Sequence, residues 1–126
     1  MRILRLKDRV SIDLEDVKFK LAPISFEQEA EINSCKKIEA GEERIDYSKR
    51  VFLLLKFSVK GIEGLKTYDD KKYKPSFDDN GNLTDDSVND ILRIPVTNGV
   101  IKAIYALQSG NIDKIEANEV EIEVGK

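Results

Sequence analysis

A chain of 126 residues with 40% hydrophobic and 36% charged side chains is sized for one domain, residues 1–126, that folds without disulfide or metal staples. Its net charge of −3 and its lone cysteine argue against a dedicated nucleic-acid binder and against a disulfide-built secreted scaffold. No apolar run approaches the ~20 residues that span a bilayer, and the first residues form no apolar h-region, so the expectation is an intracellular protein with no membrane partner.

The chain begins with Arg2, Arg5, Lys7 and Arg9, followed at once by Asp13, Glu15 and Asp16, which reads as a solvated strand or arm. Met1 to Leu6 is a candidate extended segment. Val10–Leu14 and Val17–Leu21 alternate apolar and polar residues, the period of strands with one buried face. Glu15-Asp16 between them predicts a tight hairpin, although it lacks the favoured Asn-Gly or Asp-Gly pair. Pro23 ends the strand. Ser25-Phe26-Glu27-Gln28 then fits a capping box and predicts a helix from about Phe26 to Glu39, with an apolar stripe of Phe26, Ala30, Ile32, Cys35 and Ile38 and a stop at Gly41.

Asp46 caps a second predicted helix that runs to about Lys60. Its apolar run, Val51 to Val59, covers most of the circumference and predicts the central core helix, ended by Gly61 and Gly64. Lys66 to Asn82 is rich in Asp, Lys, Asn and Gly with a few aromatics, the composition of a long loop or irregular hairpin, and Asp79-Asn80-Gly81-Asn82 is a turn signal. Thr84 caps a short helix from Asp85 to Leu92, and Pro95 terminates it. Thr97 caps a last helix through Val100, Ile101, Ile104 and Leu107, with Gly110 just after it. Glu119 to Val124 alternates strictly and predicts a late strand able to join the N-terminal sheet. The expected fold class is α+β: an N-terminal β-hairpin followed by a small helical bundle, with a late C-terminal strand.

The residue inventory is poor in catalytic chemistry. There is no histidine, hence neither the commonest general base nor the commonest zinc ligand, and Cys35 reads as a small core residue on its helix. With Gly81 at the sixth position of an EF-hand loop, the first and twelfth positions are Ser76 and Ser87, where that motif needs acids. Gly61-Ile62-Glu63-Gly64 lacks the spacing of a phosphate loop. The expectation is a protein without enzymatic activity and without cofactor or metal. A partner-binding surface is sought instead at Phe52, Leu55 and Val59 on the apolar helix, as a groove for an amphipathic helix. Tyr68, Tyr73 and Phe77 on the charged loop are candidate anchors.

Three stretches carry a resemblance to a known family. They are Val17-Lys18-Phe19-Lys20-Leu21-Ala22-Pro23-Ile24-Ser25 before the capped helix, Val59-Lys60-Gly61-Ile62-Glu63-Gly64-Leu65, and Gly81-Asn82-Leu83-Thr84-Asp85-Asp86 through Ile91-Leu92. In these the chain resembles the tail assembly chaperones of tailed bacteriophages, differing at Ile62, where the family often has an aromatic. The resemblance implies a non-enzymatic protein of the host cytoplasm that binds the long helical tape-measure protein or other tail proteins, aids tail-tube assembly and tends to form homo-oligomers. It carries over no site residues. A virion structural protein of the neck, tail-completion or minor tail type is the alternative expectation.

Overall fold

The computed structural model describes residues 2–126. Met1 lies outside them, and Arg2–Arg5 forms no strand but an irregular arm leading into a turn at Leu6-Lys7. Strands β1 (Arg9–Leu14) and β2 (Val17–Leu21) form the expected hairpin. Glu15 and Asp16 take left-handed φ values of 49° and 68°. This is the turn form whose twist suits a two-residue hairpin, built here without glycine. Alternation sets the faces: Val17, Phe19 and Leu21 are buried while Lys18 and Lys20 stand outside.

Helix α1 (Phe26–Asn33) starts at the capping box, with the Ser25 hydroxyl accepting from Gln28 N and Gln28 Oε1 accepting from Ser25 N at 3.1 Å. It stops six residues before the expected Glu39. The next residues form a hairpin of β3 (Lys36–Glu39) and β4 (Glu42–Ile45). Two local causes are visible. Ala40 and Gly41 both adopt positive φ, 53° and 80°, so Gly41 serves a two-residue turn rather than a helix stop. The supposed stripe also has no core to meet, since Phe26 is 86% and Ile38 82% exposed, and only Ile32 and Cys35 of that set are buried. Cys35 is a core residue as expected, but in the link after the helix.

Helix α2 (Tyr47–Ser58) begins where Asp46 Oδ1 accepts from Lys49 N at 3.1 Å, and it buries Leu54, Leu55, Phe57 and Ser58. It packs against the three other helices, which makes it the central one. It ends at Ser58, not Lys60. The buried Ser58 hydroxyl donates to the Ala22 carbonyl at 2.8 Å and Ala22 N donates to the Ser58 carbonyl at 2.7 Å. That pair turns the chain into β5 (Val59–Glu63), antiparallel to β2. The apolar run therefore changes from helix to strand without changing composition. As a strand it places Val59 and Ile62 in the core beside Leu21 and Phe19, with a register irregularity at Lys20/Leu21. Gly61 lies inside β5, and Gly64, with φ of 88° and its Cβ position 2.4 Å from the Asp16 carbonyl oxygen, ends it at a site only glycine fits.

Residues 65–83 hold two small hairpin-like turns, bridged at Lys66–Lys72 and Phe77–Leu83. Helix α3 (Asp85–Ile91) is capped by Thr84 as expected. Helix α4 (Thr97–Gln108) is not capped by Thr97, which is its first helical residue. The Thr97 hydroxyl instead donates to the Ile91 carbonyl, tying the two helices together at a buried point. A 3₁₀ turn (Ile112–Lys114) leads to β6 (Glu119–Glu123), which pairs antiparallel with β1 as expected.

The result is an α+β architecture. A four-stranded antiparallel sheet, in the order β5-β2-β1-β6, has one face against the helices, and the two-stranded β3–β4 sheet projects separately. One apolar core joins Val10, Ile12, Phe19 and Leu21 of the sheet to residues of all four helices. Edge strand β6 is the exception. Val120 and Ile122 lie opposite buried Ile12 and Val10 on the helix-facing side, yet remain 36% and 51% exposed. The end of β6 is held by Asp8, whose carboxylate accepts from Gly125 N at 2.9 Å and from Arg5 N at 2.8 Å.

Candidate functional site

The outward face of the sheet is polar by alternation. Lys20 lies beside Ser11 on one strand and Gly61 on the other, and Lys18 lies between Asp13 and Glu63. Because Gly61 has no side chain, space is left above it. Residues Lys72 to Pro75 and Phe77 line the far side of that space, leaving an open groove of about 550 Å³ with Lys18, Lys20, Lys60, Lys72 and Lys74 around it. Tyr73 and Phe77 supply its aromatic surface, and Glu63, Glu121 and Glu123 its acids.

The loop that builds this wall is fixed to α3. Tyr73 Oη donates to Asp90 Oδ2 at 3.0 Å, Ser76 N donates to Ser87 Oγ at 2.9 Å, and the Ser76 and Thr84 hydroxyls meet at 2.6 Å. Burial raises the Tyr73 phenol above its ordinary range, so it stays a neutral donor. Lys60 Nζ donates to the Gly81 carbonyl at 3.0 Å and to Asn82 Oδ1 at 3.3 Å, which joins β5 to the second turn. Burial, with the Arg9 charge adding to it and Asp78 opposing, lowers the Lys60 ammonium from its usual range. The acidic turn is used internally: Asp78 Oδ1 accepts from Asn80 N at 2.9 Å and from Asn82 N at 3.0 Å. That is an aspartate closing its own turn.

The residues singled out from the sequence divide. Tyr73 and Phe77 come together in the groove. Tyr68 is fully exposed in the turn of the first small hairpin and does not line it. Leu55 and Val59 are both 0% exposed, so neither offers a surface to a partner: α2 is enclosed by the other helices, and Val59 has become a core strand residue. Phe52 is half-buried and packs against the same core. The lysines were missed as a group. The available signal was the alternation of Lys18 and Lys20 with Val17, Phe19 and Leu21, which puts both on one polar face. Lys72 and Lys74 join them only through the path of the loop.

Lys60 is tied to the second turn and Lys20 pairs with Glu123 at 3.6 Å, so the groove offers a ligand Lys18, Lys72 and Lys74 beside its two aromatic side chains, a combination suited to holding an apolar segment that also carries carboxylates. Among the described residues, no three His, Cys, Asp or Glu side chains gather as a metal-holding cluster, and no helix is long and apolar enough to cross a membrane. No family model matches the chain, and no curated protein or solved structure matches it significantly.

Proposed function

We propose that the chain is a non-enzymatic tail assembly chaperone that works in the host cytoplasm. In this reading it holds an amphipathic, partly acidic segment of the tape-measure protein until tail-tube subunits cover it. The observation that carries the binding reading is the groove, where Tyr73 and Phe77 stand among lysines on a sheet face already fixed by the fold. The resemblance at Val17–Ser25, Val59–Leu65 and Gly81–Leu92 supplies the class of client. The exposed surface adds support. It totals 8607 Å² for a 14.3 kDa chain, against roughly 6,800 Å² for a compact monomer of that mass. Such an excess suits a protein with faces that a partner covers.

The test is co-expression with fragments of the tape-measure protein of the same phage. A fragment that is insoluble alone becomes soluble and co-purifies. Phe77→Ala weakens the complex by more than ~1 kcal/mol, the scale of an interface anchor, without changing the fold. Lys72→Glu weakens it at low salt and less so at high salt, because its charge is exposed and screened. Absence of any co-purifying fragment, together with this chain in purified particles, would replace the chaperone reading with a virion structural role.

A further inference from the structure

We infer that the free edge of β6 is a docking site for an extended segment of a partner protein whose residues alternate basic and apolar. Three features of β6 converge on this occupant. The strand is the last in the sheet order, so its outer edge has no strand partner among the described residues and offers unpaired backbone donors and acceptors. Its helix-facing side chains, Val120 and Ile122, lie in the plane of the core yet remain 36% and 51% exposed, so a further strand can extend the core over them. Its outward side chains are Glu119, Glu121 and Glu123.

Charge selects among occupants. Glu123 is balanced by Lys20 at 3.6 Å and lies opposite Arg9. Glu121 lies opposite the uncharged Ser11, and Glu119 lies opposite another acid, Asp13, whose lysine neighbour on its other side, Lys18, is shared with Glu63. The Asp13 Oδ1 atom is shut off from water with no hydrogen-bond partner. Like charges directly opposite across a ladder repel, and a Lys or Arg on the neighbouring strand relieves that repulsion. A second copy of this chain does the reverse. Antiparallel pairing of two β6 strands about Glu121 sets Glu121 against Glu121 and Glu119 against Glu123. The edge is therefore guarded against self-pairing and open to a basic, apolar-alternating strand. Strand β6 borders the client groove through Glu121, Ile122 and Glu123, but the docking site is its outer edge, away from β1, and the inference does not depend on the chaperone reading.

The probe is a capped heptapeptide of alternating Lys and Val, titrated into the isotope-labelled full chain. Saturable shifts and slowed amide exchange centred on Glu119–Glu123 are expected. An alternating Glu and Val peptide should bind on the order of tenfold more weakly, because two or three cross-strand pairs change from attractive to repulsive. N-methylation of every second amide along the binding edge should abolish binding by the Lys/Val peptide. The exposed double variant Glu119→Lys/Glu121→Lys, once circular dichroism shows it folded, should reverse the preference. The inference is overturned by equal binding of the basic and acidic peptides, by shifts confined to Lys18, Lys20, Lys60 and residues 72–77 with none in β6, or by a dimer of the chain paired through β6 at neutral pH. The peptide comparisons alone decide the matter if the double variant does not fold.

Discussion

Strands β2 and β6 flank β1 on its two sides and carry the same alternation, yet they end in opposite environments. In β2, Val17, Phe19 and Leu21 are sealed under the helices, Phe19 and Leu21 completely. In β6, Val120 and Ile122 point to the same side of the sheet and remain substantially exposed. Alternation thus decides which way a side chain faces and says nothing of what lies above it. Coverage depends on how far the helical layer reaches, and here Val59 and Ile62 of β5, Phe19 and Leu21 of β2 and Val10 and Ile12 of β1 are enclosed but Val120 and Ile122 of β6 are not. The outward residues differ in sign as well: Lys18 and Lys20 on β2 border the groove, while β6 presents glutamates.

The largest effect that tests this contrast is expected in the sealed part. Phe19→Asp places a carboxylate at a position with no exposed surface and no counter-charge in the core around it. Such burial costs several kcal/mol, comparable with the whole stability of a small domain, roughly 5–15 kcal/mol. Leu54→Asp, at the 4% exposed centre of α2, is expected to do the same. Both should give unfolded or insoluble chains by circular dichroism. A cooperative melt at the parent temperature for either would show that the core is misplaced.

The sequence was legible wherever a local signal matched the tertiary outcome. The β1–β2 hairpin, the capping box at Ser25, the caps at Asp46 and Thr84 and the pairing of β6 with the N-terminal sheet all rest on short-range chemistry that the fold keeps. The misses have equally physical causes. Lys36 to Ile45 is rich in Lys, Glu and Arg, good helix formers, with apolar residues too sparse to reveal a period of two; the Ala40-Gly41 turn decides it as a hairpin. Val59 continues a largely apolar run interrupted by Lys56 and Ser58 alone, so the Ser58–Ala22 bonds, and no local signal, mark the change from helix to strand. Half of the candidate site was visible as the aromatics Tyr73 and Phe77. The other half depends on a loop bringing Lys72 and Lys74 over Lys18 and Lys20, a juxtaposition without a local period.

The next effects concern how β6 is held. Gly125 sits so close to the arm that a Cβ there falls 2.1 Å from the Lys7 carbonyl oxygen, a backbone atom that cannot swing aside. Gly125→Ala is expected to cost about 1–3 kcal/mol, the range for overpacking, and to speed amide exchange in β6 before β2. Equal acceleration in both strands would mean that the two are not independently held.

The same clasp titrates. The amides of Arg5 and Gly125 hold the Asp8 carboxyl at about 2, below its ordinary 3.8, and the Arg5 guanidinium adds to this while burial opposes it. A folded-state value lowered in this way gives stability that is fully present above the unfolded value and is lost as pH falls through the folded one. Asp8→Asn should therefore melt below the parent at a constant interval above pH ~4, and the interval should close between pH ~4 and ~2. A gap that persists unchanged at pH 2 would show that the carboxylate charge is not what holds the clasp.

The smallest expected effect sharpens the comparison most, because it applies one substitution to neighbouring strands. Ile12 and Ile122 face the same side of the sheet, with Ile12 paired to Val120 and Ile122 to Val10. Ile12 is 0% exposed and Ile122 is 51% exposed. Ile→Thr keeps the β-branch and the strand propensity, so the backbone preference is nearly unchanged. What differs is the burial of a hydroxyl and the loss of a methyl from the core. At Ile12 both are felt, and a loss of about 2–4 kcal/mol is expected. At Ile122 the hydroxyl meets water and part of the lost contact was never made, so the loss should stay below about 1 kcal/mol. Denaturant midpoints with unchanged slopes give both numbers. Saturating the protein with the Lys/Val peptide then raises the cost of Ile122→Thr toward that of Ile12→Thr, since the added strand brings the β6 face into the core. Equal costs in the free protein would show that β6 is already covered, and with that the contrast between the two strands would disappear.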